Sequence, residues 1–375
     1  MKHEAREDVE RQPQTEARGL SRREVLALAA LAGAASLDAL VPSLGHAQAP
    51  RKIKMTLPWL PMGHFAFFFV ARDKGFWQKR GLDVSIDRGM GSADAAKLVG
   101  AGRYEFGYAD LATMILVAGQ GMDLTSVGMV NYISPLGLTS LKKSNIVKPK
   151  DLEGKRYGTS AGSGEFVLFP AFARAAGIDG DKVQKILMSP VALSKALIEG
   201  TIDVRGSFYP SMVDLMAMGV ETNQILYHNA GLKMYSLGIF TTRDRVRADR
   251  DLCARFTAGA LEGLAYSYLH IDETIDLHLR AIREYQGASY SREMVRLGLL
   301  VNAALGIDAV PQEKGLGWMD PEMVRQTRDL VVKYMGLKSE PPLDALYTNA
   351  FAGTVRLSAA EWQRVKDAAR PYILW

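Results

Sequence analysis

The stretch 157–172 combines small, hydroxyl-bearing and acidic residues in a spacing that could bind an electronegative group. Ser160, Gly162, Ser163 and Glu165 lie between a short predicted strand and an apolar stretch of helical periodicity. Backbone N–H groups and the dipole at a helix N-terminus favour anions, glycines allow close backbone approach, and serines cap helices or donate to ligands. The alternative is an ordinary strand-to-helix turn that binds nothing.

A second unit of the same kind occupies 84–98 in the other half of the chain. Gly91 and Ser92 follow a predicted strand, and the spacing predicts that Ser92 caps a helix over 93–101. Open α/β sheets bind ligands beyond the carboxyl ends of their strands. Two such units therefore predict two α/β lobes whose helix N-termini face a common cleft.

Aromatic residues cluster at the ends of predicted strands. Trp59 and His64 follow the first strand, and Phe208 with Tyr209 ends a later one. The run 67–69 of three phenylalanines is expected in the core of a helix instead. A planar ligand held between rings gains about 0.5–1.5 kcal/mol per ring pair beyond area burial. The rings in loops therefore favour a planar ligand.

Catalytic functions have weaker support. The segment 158–162 matches the G-x-S-x-G pattern of serine hydrolases, with Ser160 as the candidate nucleophile. The loop continues beyond this serine before helical periodicity begins, whereas a nucleophile elbow starts its helix at once. The later histidines are His228, His270 and His278, of which the last two are expected on a helix surface. We therefore expect no catalytic residue, metal or cofactor.

The segment 1–47 is predicted to be an export leader outside the fold. Arg22 and Arg23 precede an alanine-rich apolar run, which is the pattern of a twin-arginine signal peptide. Asp38 interrupts the run and argues against a membrane-spanning helix. Two small-x-small sites, 45–47 and 47–49, could end the leader, and cleavage after Ala47 is favoured because the other cut would leave Pro50 at the first mature position.

Length and composition bound the function classes. The chain has 375 residues, is 48% hydrophobic and 23% charged, and is long enough for two domains. Removing the leader, with six Lys/Arg and seven Asp/Glu, changes the net charge from +5 to +6, which does not select nucleic acid. Cys253 is the only cysteine, so no internal disulfide and no lipid-bearing cysteine is available. We expect a soluble periplasmic monomer.

Two extended apolar runs, 131–141 and 235–242, are predicted to cross between the lobes. They divide the mature chain into lobe one, comprising 50–139 and 238–375, and lobe two, comprising 140–237. From Asp251 onward the pattern is helical, and such a tail is expected to pack around lobe one.

An ordered series of short motifs across about 57–245 resembles the periplasmic solute-binding proteins of ABC importers. The motifs are Trp59-Leu-Pro-Met-Gly-His-Phe, Ala71-Arg-Asp-Lys-Gly-Phe-Trp, Gly91-Ser-Ala-Asp-Ala, Phe106-Gly-Tyr-Ala-Asp, Ser134-Pro-Leu-Gly, Lys150-Asp-Leu-Glu-Gly-Lys and Gly200-Thr-Ile-Asp. The most similar branch serves alkanesulfonates, taurine, nitrate and pyrimidine precursors of thiamine. The resemblance implies a type II periplasmic-binding-protein fold, with two three-layer α/β lobes, two crossing strands and a helical C-terminal tail.

The same resemblance implies a receptor that closes on a small molecule and delivers it to a membrane permease and its ATPase. It implies ligand contacts at Trp59, His64, Gly91, Ser92, Tyr132, Ser134 and the residues from Ser160 to Glu165, including Gly162 and Ser163. The branch also includes a pyrimidine synthase with a cysteine-rich iron-binding motif. A chain whose single cysteine is Cys253 lacks that motif, so the resemblance implies a receptor and not an enzyme.

Departures from the family pattern bear on the ligand. Arg88 and Arg205 stand where the family usually has apolar or small residues, and Phe208 and Tyr209 add more aromatic character than a sulfonate or nitrate needs. We therefore expect a planar aromatic or heterocyclic ligand, with or without a carboxylate, and keep an aliphatic sulfonate as the alternative. The Arg205 guanidinium either pairs with an acid such as Asp203 or binds the ligand's carboxylate with its planar fork.

Overall fold

A computed structural model of the chain describes residues 49–160, 163–284, 290–337 and 340–375. The predicted leader, with Arg22, Arg23 and Ala47, lies outside the described residues, as does Gly162 of the predicted binding loop. Within the described residues, no helix has both the length and the apolar character needed to span a bilayer.

Two mixed five-stranded sheets form the framework of the described residues. Their strands are β1 (Arg51–Thr56), β2 (Leu82–Asp87), β3 (Phe106–Asp110), β4 (Thr125–Met129), β5 (Leu136–Leu141), β6 (Arg156–Thr159), β7 (Gln184–Leu187), β8 (Val204–Phe208), β9 (Thr222–Leu226) and β10 (Leu237–Thr241). The first sheet has the order β2-β1-β3-β10-β4 and the second has the order β7-β6-β8-β5-β9. The outer strand β2 alternates buried and exposed residues, whereas the central β3 and β10 are buried throughout, as expected of strands covered on both faces.

The two sheets follow the same plan. In each sheet, the first three strands of the order are parallel to one another. The fourth strand, β10 in the first sheet and β5 in the second, is antiparallel to them and follows a segment that crosses from the other sheet. The chain passes between the sheets twice, through 130–135 from β4 to β5 and through 227–236 from β9 to β10. The predicted crossing runs are therefore present, although each strand belongs to one sheet and the residues before it make the crossing.

The helices of the described residues cover the sheets and continue to the C-terminal region. They are α1 (Ala66–Asp73), α2 (Ser92–Gly100), α3 (Leu111–Gly119), α4 (Gly164–Val167), α5 (Phe169–Ala175), α6 (Leu193–Ile198), α7 (Val213–Ala217), α8 (Arg243–Ala248), α9 (Arg250–Leu269), α10 (Ile271–Ala281), α11 (Arg292–Gly306), α12 (Ala309–Lys314), α13 (Pro321–Tyr334), α14 (Leu343–Leu346) and α15 (Ala359–Ala369). The run 67–69 is buried in α1, as predicted. The C-terminal region is helical as predicted, and its long helix α9 packs against α1 beside the first sheet.

Candidate functional site

The loops that could bind a ligand lie along one edge of each sheet. The carboxyl ends of the parallel strands and both crossings lie at these edges. We call the described segments 57–65, 88–92, 130–135, 163–165 and 188–192, together with Ser160, the cleft loops. The rings of His64 and Phe208, one from each side, have centroids 6.2 Å apart. The two lobes therefore approach each other at the end of β8.

The first cleft loop is fixed by backbone contacts beneath it. A Cβ atom at Gly63 would lie only 2.5 Å from the Val295 carbonyl oxygen, so only glycine fits against α11. The His278 Nε2 lies 2.9 Å from the Pro61 carbonyl oxygen. His278 is fully buried, so the prediction that it lies on a helix surface is wrong. Its imidazole holds the loop and is not placed as a solvent-facing base.

His64 is buried in this loop, and its Nδ1 has no hydrogen-bond partner in the described residues. Burial and the neighbouring His278 lower the pKa of His64 to about 3. Its imidazole is therefore neutral at ordinary pH and can offer a ligand one donor or one acceptor. Trp59 is half-buried on the same loop, where its ring packs against the core of the first lobe.

The loop before α2 differs from its prediction in one respect. Ser92 is the first residue of the helix and Gly91 is the N-cap, so the prediction that Ser92 caps the helix is wrong. The Ser92 Oγ instead accepts the Asp110 N–H at 3.1 Å, which leaves the Ser92 hydroxyl proton free to donate to a ligand. Gly91 has φ +138°, a conformation that side chains rarely adopt.

Asp110 connects this loop to the second crossing. Its carboxylate caps α3 by accepting the Thr113 N–H at 3.1 Å and also accepts the Ser236 hydroxyl at 3.0 Å. Burial raises the pKa of Asp110, and the hydrogen bonds from Thr113 and Ser236 oppose that shift. The helix start at Ser92 and the crossing at Ser236 are thus joined through one buried carboxylate.

The first crossing carries two predicted ligand contacts, Tyr132 and Ser134, and only the Tyr132 hydroxyl has a hydrogen-bond partner in the described residues. The Tyr132 hydroxyl donates to the Trp318 carbonyl oxygen at 2.9 Å, and its ring packs edge-on against Tyr235 at 5.4 Å. Tyr132 therefore braces the crossing against the first lobe. Ser134 is buried, and its Oγ has no partner in the described residues, so it stays a candidate for a ligand contact.

The first turn of α4 presents an acid. Ser163 is the N-cap residue, and its Oγ lies 3.2 Å from the Thr159 Oγ1. Glu165 is buried over Gly206, where an added Cβ would lie 2.6 Å from the Glu165 Oε1. Burial raises the pKa of Glu165, while hydrogen bonding by Ser163 and the charge of Arg205 oppose the shift. Helix α4 has only four residues, so its dipole does little to attract an anion. The main group that this segment offers a ligand is the Glu165 carboxyl.

Tyr227 is a residue of this site that the sequence reasoning missed. Its hydroxyl donates to the Glu165 carbonyl oxygen at 2.7 Å, which ties α4 to the end of β9. Its ring stacks on Phe172 at 4.3 Å. Nothing in the local sequence distinguishes this tyrosine from a core aromatic residue, since its partner is 62 positions away.

The aromatic pair at the end of β8 separates into two environments. Phe208 is half-buried beside His64. Tyr209 is buried in an apolar cluster with Ile133, Val301 and Leu305, and burial raises its pKa to about 12. Tyr209 therefore packs the junction of the lobes, and only the Phe208 ring is left half-exposed at the cleft.

Arg205 does not pair with Asp203. Asp203 binds Arg156 instead, with an Nη2–Oδ1 distance of 2.8 Å. The Arg205 Nε donates to the Gly206 carbonyl oxygen at 3.2 Å, and its Nη1 donates to the Ser194 hydroxyl. The Ser194 Oγ in turn donates to the Asp214 Oδ2 at 2.8 Å.

The hydrogen bonds from Arg205 to Ser194 and from Ser194 to Asp214, which we call the Arg205 relay, link the start of α6 to the start of α7. Burial lowers the pKa of Arg205, and the charges of Asp214 and Glu165 oppose that effect. In the part of the chain that the structure describes, no group of three or more His, Cys, Asp or Glu residues is arranged to hold a metal ion.

Comparisons with known proteins identify the relatives of this chain. The family described as NMT1/THI5 like matches residues 63–274, more than half of the chain. The riboflavin-binding protein RibY of Chloroflexus aurantiacus is 23% identical over 308 residues, covering 80% of this chain and 86% of its own. A putative thiamine biosynthesis protein of Haemophilus influenzae is 30% identical over 213 residues, covering 56% and 67%.

The crystal structure of the periplasmic aliphatic sulphonate binding protein SsuA of Escherichia coli superposes with a TM-score of 0.63. It is 13% identical and covers 79% of this chain and 91% of its own, so the likeness concerns the fold alone. The predicted periplasmic-binding-protein fold, with two α/β sheets and a helical C-terminal region, is confirmed.

Proposed function

This chain belongs to the NMT1/THI5-like family, and we propose that it is the substrate-binding component of an ABC importer. It captures a small planar molecule between its two lobes and passes it to a membrane permease that an ATPase drives. The observation that carries this proposal is the approach of the His64 and Phe208 rings from opposite lobes at the carboxyl edges of both sheets. Ligands of open α/β folds bind at such edges.

Two of the proposed ligand contacts are side-chain atoms that lack a hydrogen-bond partner in the described residues. His64 Nδ1 and Ser134 Oγ are buried polar atoms without partners, and such groups are costly unless a ligand or water satisfies them. The remaining proposed contacts are Trp59, Gly91, Ser92, Ser160, Ser163, Glu165 and Phe208, to which the sequence adds Gly162. Tyr132, Tyr209 and Arg205 have protein partners that support a structural role for each.

The proposed ligand class is a planar heterocycle that hydrogen-bonds to neutral groups. His64 and Glu165 are both shifted by burial toward their uncharged forms, and rings at Trp59 and Phe208 can cover the faces of a flat ligand. The RibY relative is named for riboflavin, a planar heterocycle. An aliphatic sulfonate, the ligand class for which SsuA is named, is the alternative, and it would require a cationic or donor-rich pocket.

Export and location are part of the proposal. Arg22 and Arg23 before the apolar run support folded-state export through a twin-arginine route, cleavage after Ala47 and a periplasmic receptor. N-terminal sequencing of secreted protein tests this, with Arg22→Lys plus Arg23→Lys as the matched variant. A retained leader, or secretion that the double variant does not reduce, would contradict it.

A thermal-shift screen tests the receptor function directly. Riboflavin, lumichrome, aminopyrimidines, planar carboxylates and alkanesulfonates are added to the mature protein, and a bound ligand raises the Tm by mass action. Mass spectrometry of the recovered ligand should show it unchanged. The control variant Phe208→Ala should weaken a planar hit by roughly tenfold and an alkanesulfonate less, since only the planar ligand uses the ring.

An enzyme is the second candidate, because one relative is named a putative thiamine biosynthesis protein. A synthase or hydrolase would convert the ligand, so the same mass spectrometry separates it from a receptor. Loss of any conversion in Ser160→Ala would identify 158–162 as the site of a hydrolase. A hit recovered chemically altered by the wild-type protein would overturn the receptor proposal.

A further inference from the structure

The two most exposed of the large apolar side chains in the described residues lie in corresponding loops of the two sheets. Met90 is 69% exposed and Val191 is 88% exposed. Met90 follows β2 by three residues, and Val191 follows β7 by four. Because β2 and β7 are the outermost strands at the same side of their sheets, the two residues have equivalent positions. A single exposed apolar residue is ordinary, but a matched pair at one edge calls for a cause.

The position of this pair relative to the crossings is specific. The crossings join β4 to β5 and β9 to β10, and these four strands form the opposite end of each sheet from β2 and β7. Met90 and Val191 therefore lie on the rim of the cleft farthest from the crossings. If the lobes rotate about the crossings, the residues farthest from them travel the longest distance toward each other.

Met90 projects from a backbone that neighbouring groups hold in place. A Cβ atom at Gly89 would lie 2.0 Å from the Leu57 carbonyl oxygen, which fixes the backbone before Met90. Gly91, with φ +138°, and the Ser92 hydroxyl bound to Asp110 fix the backbone after it. Met90 is thus an exposed side chain on a supported loop.

Val191 has comparable support in the second lobe. It lies in the helical turn Pro190–Ala192 directly before α6. Ser194, in the first turn of α6, is bonded to both Arg205 and Asp214. The buried Arg205 relay therefore anchors the loop that presents Val191, which also gives this arginine a role away from any ligand.

We propose that Met90 and Val191 form an apolar latch, meeting across the mouth of the cleft when the lobes close. Their mutual burial stabilises the closed form and so strengthens the retention of any ligand, without touching it. This inference rests on the two-lobed receptor of the proposed function but not on the identity of its ligand. The same surface could instead meet the permease, and the experiments below separate the two.

Disulfide trapping tests the contact itself. The double variant Met90→Cys plus Val191→Cys is oxidised in the absence of ligand, and the native Cys253 does not interfere because it is buried. The matched control is Met90→Cys plus Met218→Cys, since Met218 is 60% exposed but follows the far end of α7. We expect the 90–191 disulfide to form at least tenfold faster than the control. Equal rates would overturn the latch.

Affinity measurements test its consequence, with riboflavin as the probe. Met90→Ser plus Val191→Ser should weaken riboflavin binding by about tenfold, a loss consistent with the apolar area involved. The Tm without ligand should not change, because both side chains are exposed in this structure. Met218→Ser is the control and should change neither value.

The outcomes separate the latch from the proposed function. Failure of riboflavin and every other screened compound to bind would contradict the receptor, while the disulfide rates would still decide the latch. Unchanged riboflavin affinity in the serine double variant would overturn the latch. If that variant also lost riboflavin uptake by cells, the rim would be assigned to the permease.

Discussion

The loop after β1 and the loop after β6 occupy equivalent positions in the two sheets but carry opposite chemistry. The first contributes an imidazole at His64, and the second contributes a carboxyl at Glu165. Burial lowers the pKa of the histidine to about 3 and raises that of the glutamate. Both shifts favour the uncharged form, because a buried charge is poorly solvated. Both groups are thus shifted toward acting as neutral hydrogen-bond partners, which supports the proposed ligand class.

The two loops also differ in what supports them. The first loop contacts backbone, since Gly63 abuts the Val295 carbonyl oxygen. In the second, Gly206 abuts the buried Glu165 side chain at Cγ and Oε1, and a side chain can shift by rotation about its bonds more readily than a backbone can. We infer that the first loop is the rigid half of the site and the second the adaptable half.

The largest expected effect is a loss of folding stability at acidic pH. His64 and His278 have pKa values of about 3 and about 4 against 6.5 when unfolded. Below pH 6.5 each of these histidines is therefore protonated in the unfolded chain but still neutral in the folded protein. The free energy of unfolding then falls by up to about 1.4 kcal/mol per pH unit for each histidine. Urea unfolding from pH 7 to pH 4.5 measures this loss.

The second lobe should oppose this trend. The raised pKa of Glu165 means that the folded state holds its proton more tightly, so this group contributes stability at low pH that is lost as pH rises. His278→Asn should flatten the acid limb, whereas Glu165→Gln should steepen it. An acid limb that is the same in both variants would contradict the comparison.

Glycine substitutions compare the rigid and adaptable loops directly. Gly63→Ala should lower the free energy of unfolding by about 1–3 kcal/mol, because the methyl group meets backbone that cannot move aside. Gly206→Ala should cost less, since Glu165 can rotate away, but it should alter ligand affinity. Equal losses of stability, measured by urea unfolding, would show that the two loops are equally rigid.

Arg205 provides a smaller test in the second lobe. Arg205→Lys should lower the free energy of unfolding by about 1 kcal/mol, because a lysine cannot bond both Ser194 and the Gly206 carbonyl as the guanidinium does. Thermal unfolding without ligand measures this. If stability is unchanged and only an acidic ligand binds more weakly, Arg205 is a ligand contact after all.

The smallest effect is expected at the neighbouring ion pair. Arg156 and Asp203 are both partly exposed to solvent, where such pairs contribute little to stability. Arg156→Lys should leave the Tm within the error of a thermal scan. A clear loss of stability there would mean that the strand edge depends on this pair more than its exposure suggests.

Local features were predictable from the sequence. The short strand before Ser160 and the burial of 67–69 both follow from residues within a few positions of one another. The two-lobed fold was predictable from the order of the motifs. The ligand contacts themselves remain predictions, supported at His64 and Ser134 by polar atoms that lack partners in the described residues.

Features that depend on distant partners were not predictable. The spacing of His270 and His278 predicts that both lie on a helix surface. His278 is buried instead, and its Nε2 lies beside the Pro61 carbonyl oxygen, 217 positions away in the sequence. Asp203 is two residues from Arg205, but it lies just before β8 and pairs with Arg156. Ser92 could have capped its helix, but in the folded sheet its hydroxyl binds the Asp110 N–H.

The sequence by itself determined local features, such as the short strand before Ser160 and the buried run 67–69, because periodicity acts over a few residues. Only the tertiary structure decided which loops are equivalent. By sequence, the loop before Ser92 matches the loop before Glu165, whereas in the sheets it matches the loop carrying Val191. The physical reason is that strand order is set by long-range pairing, and pairing places Met90 and Val191 on one rim and His64 beside Phe208.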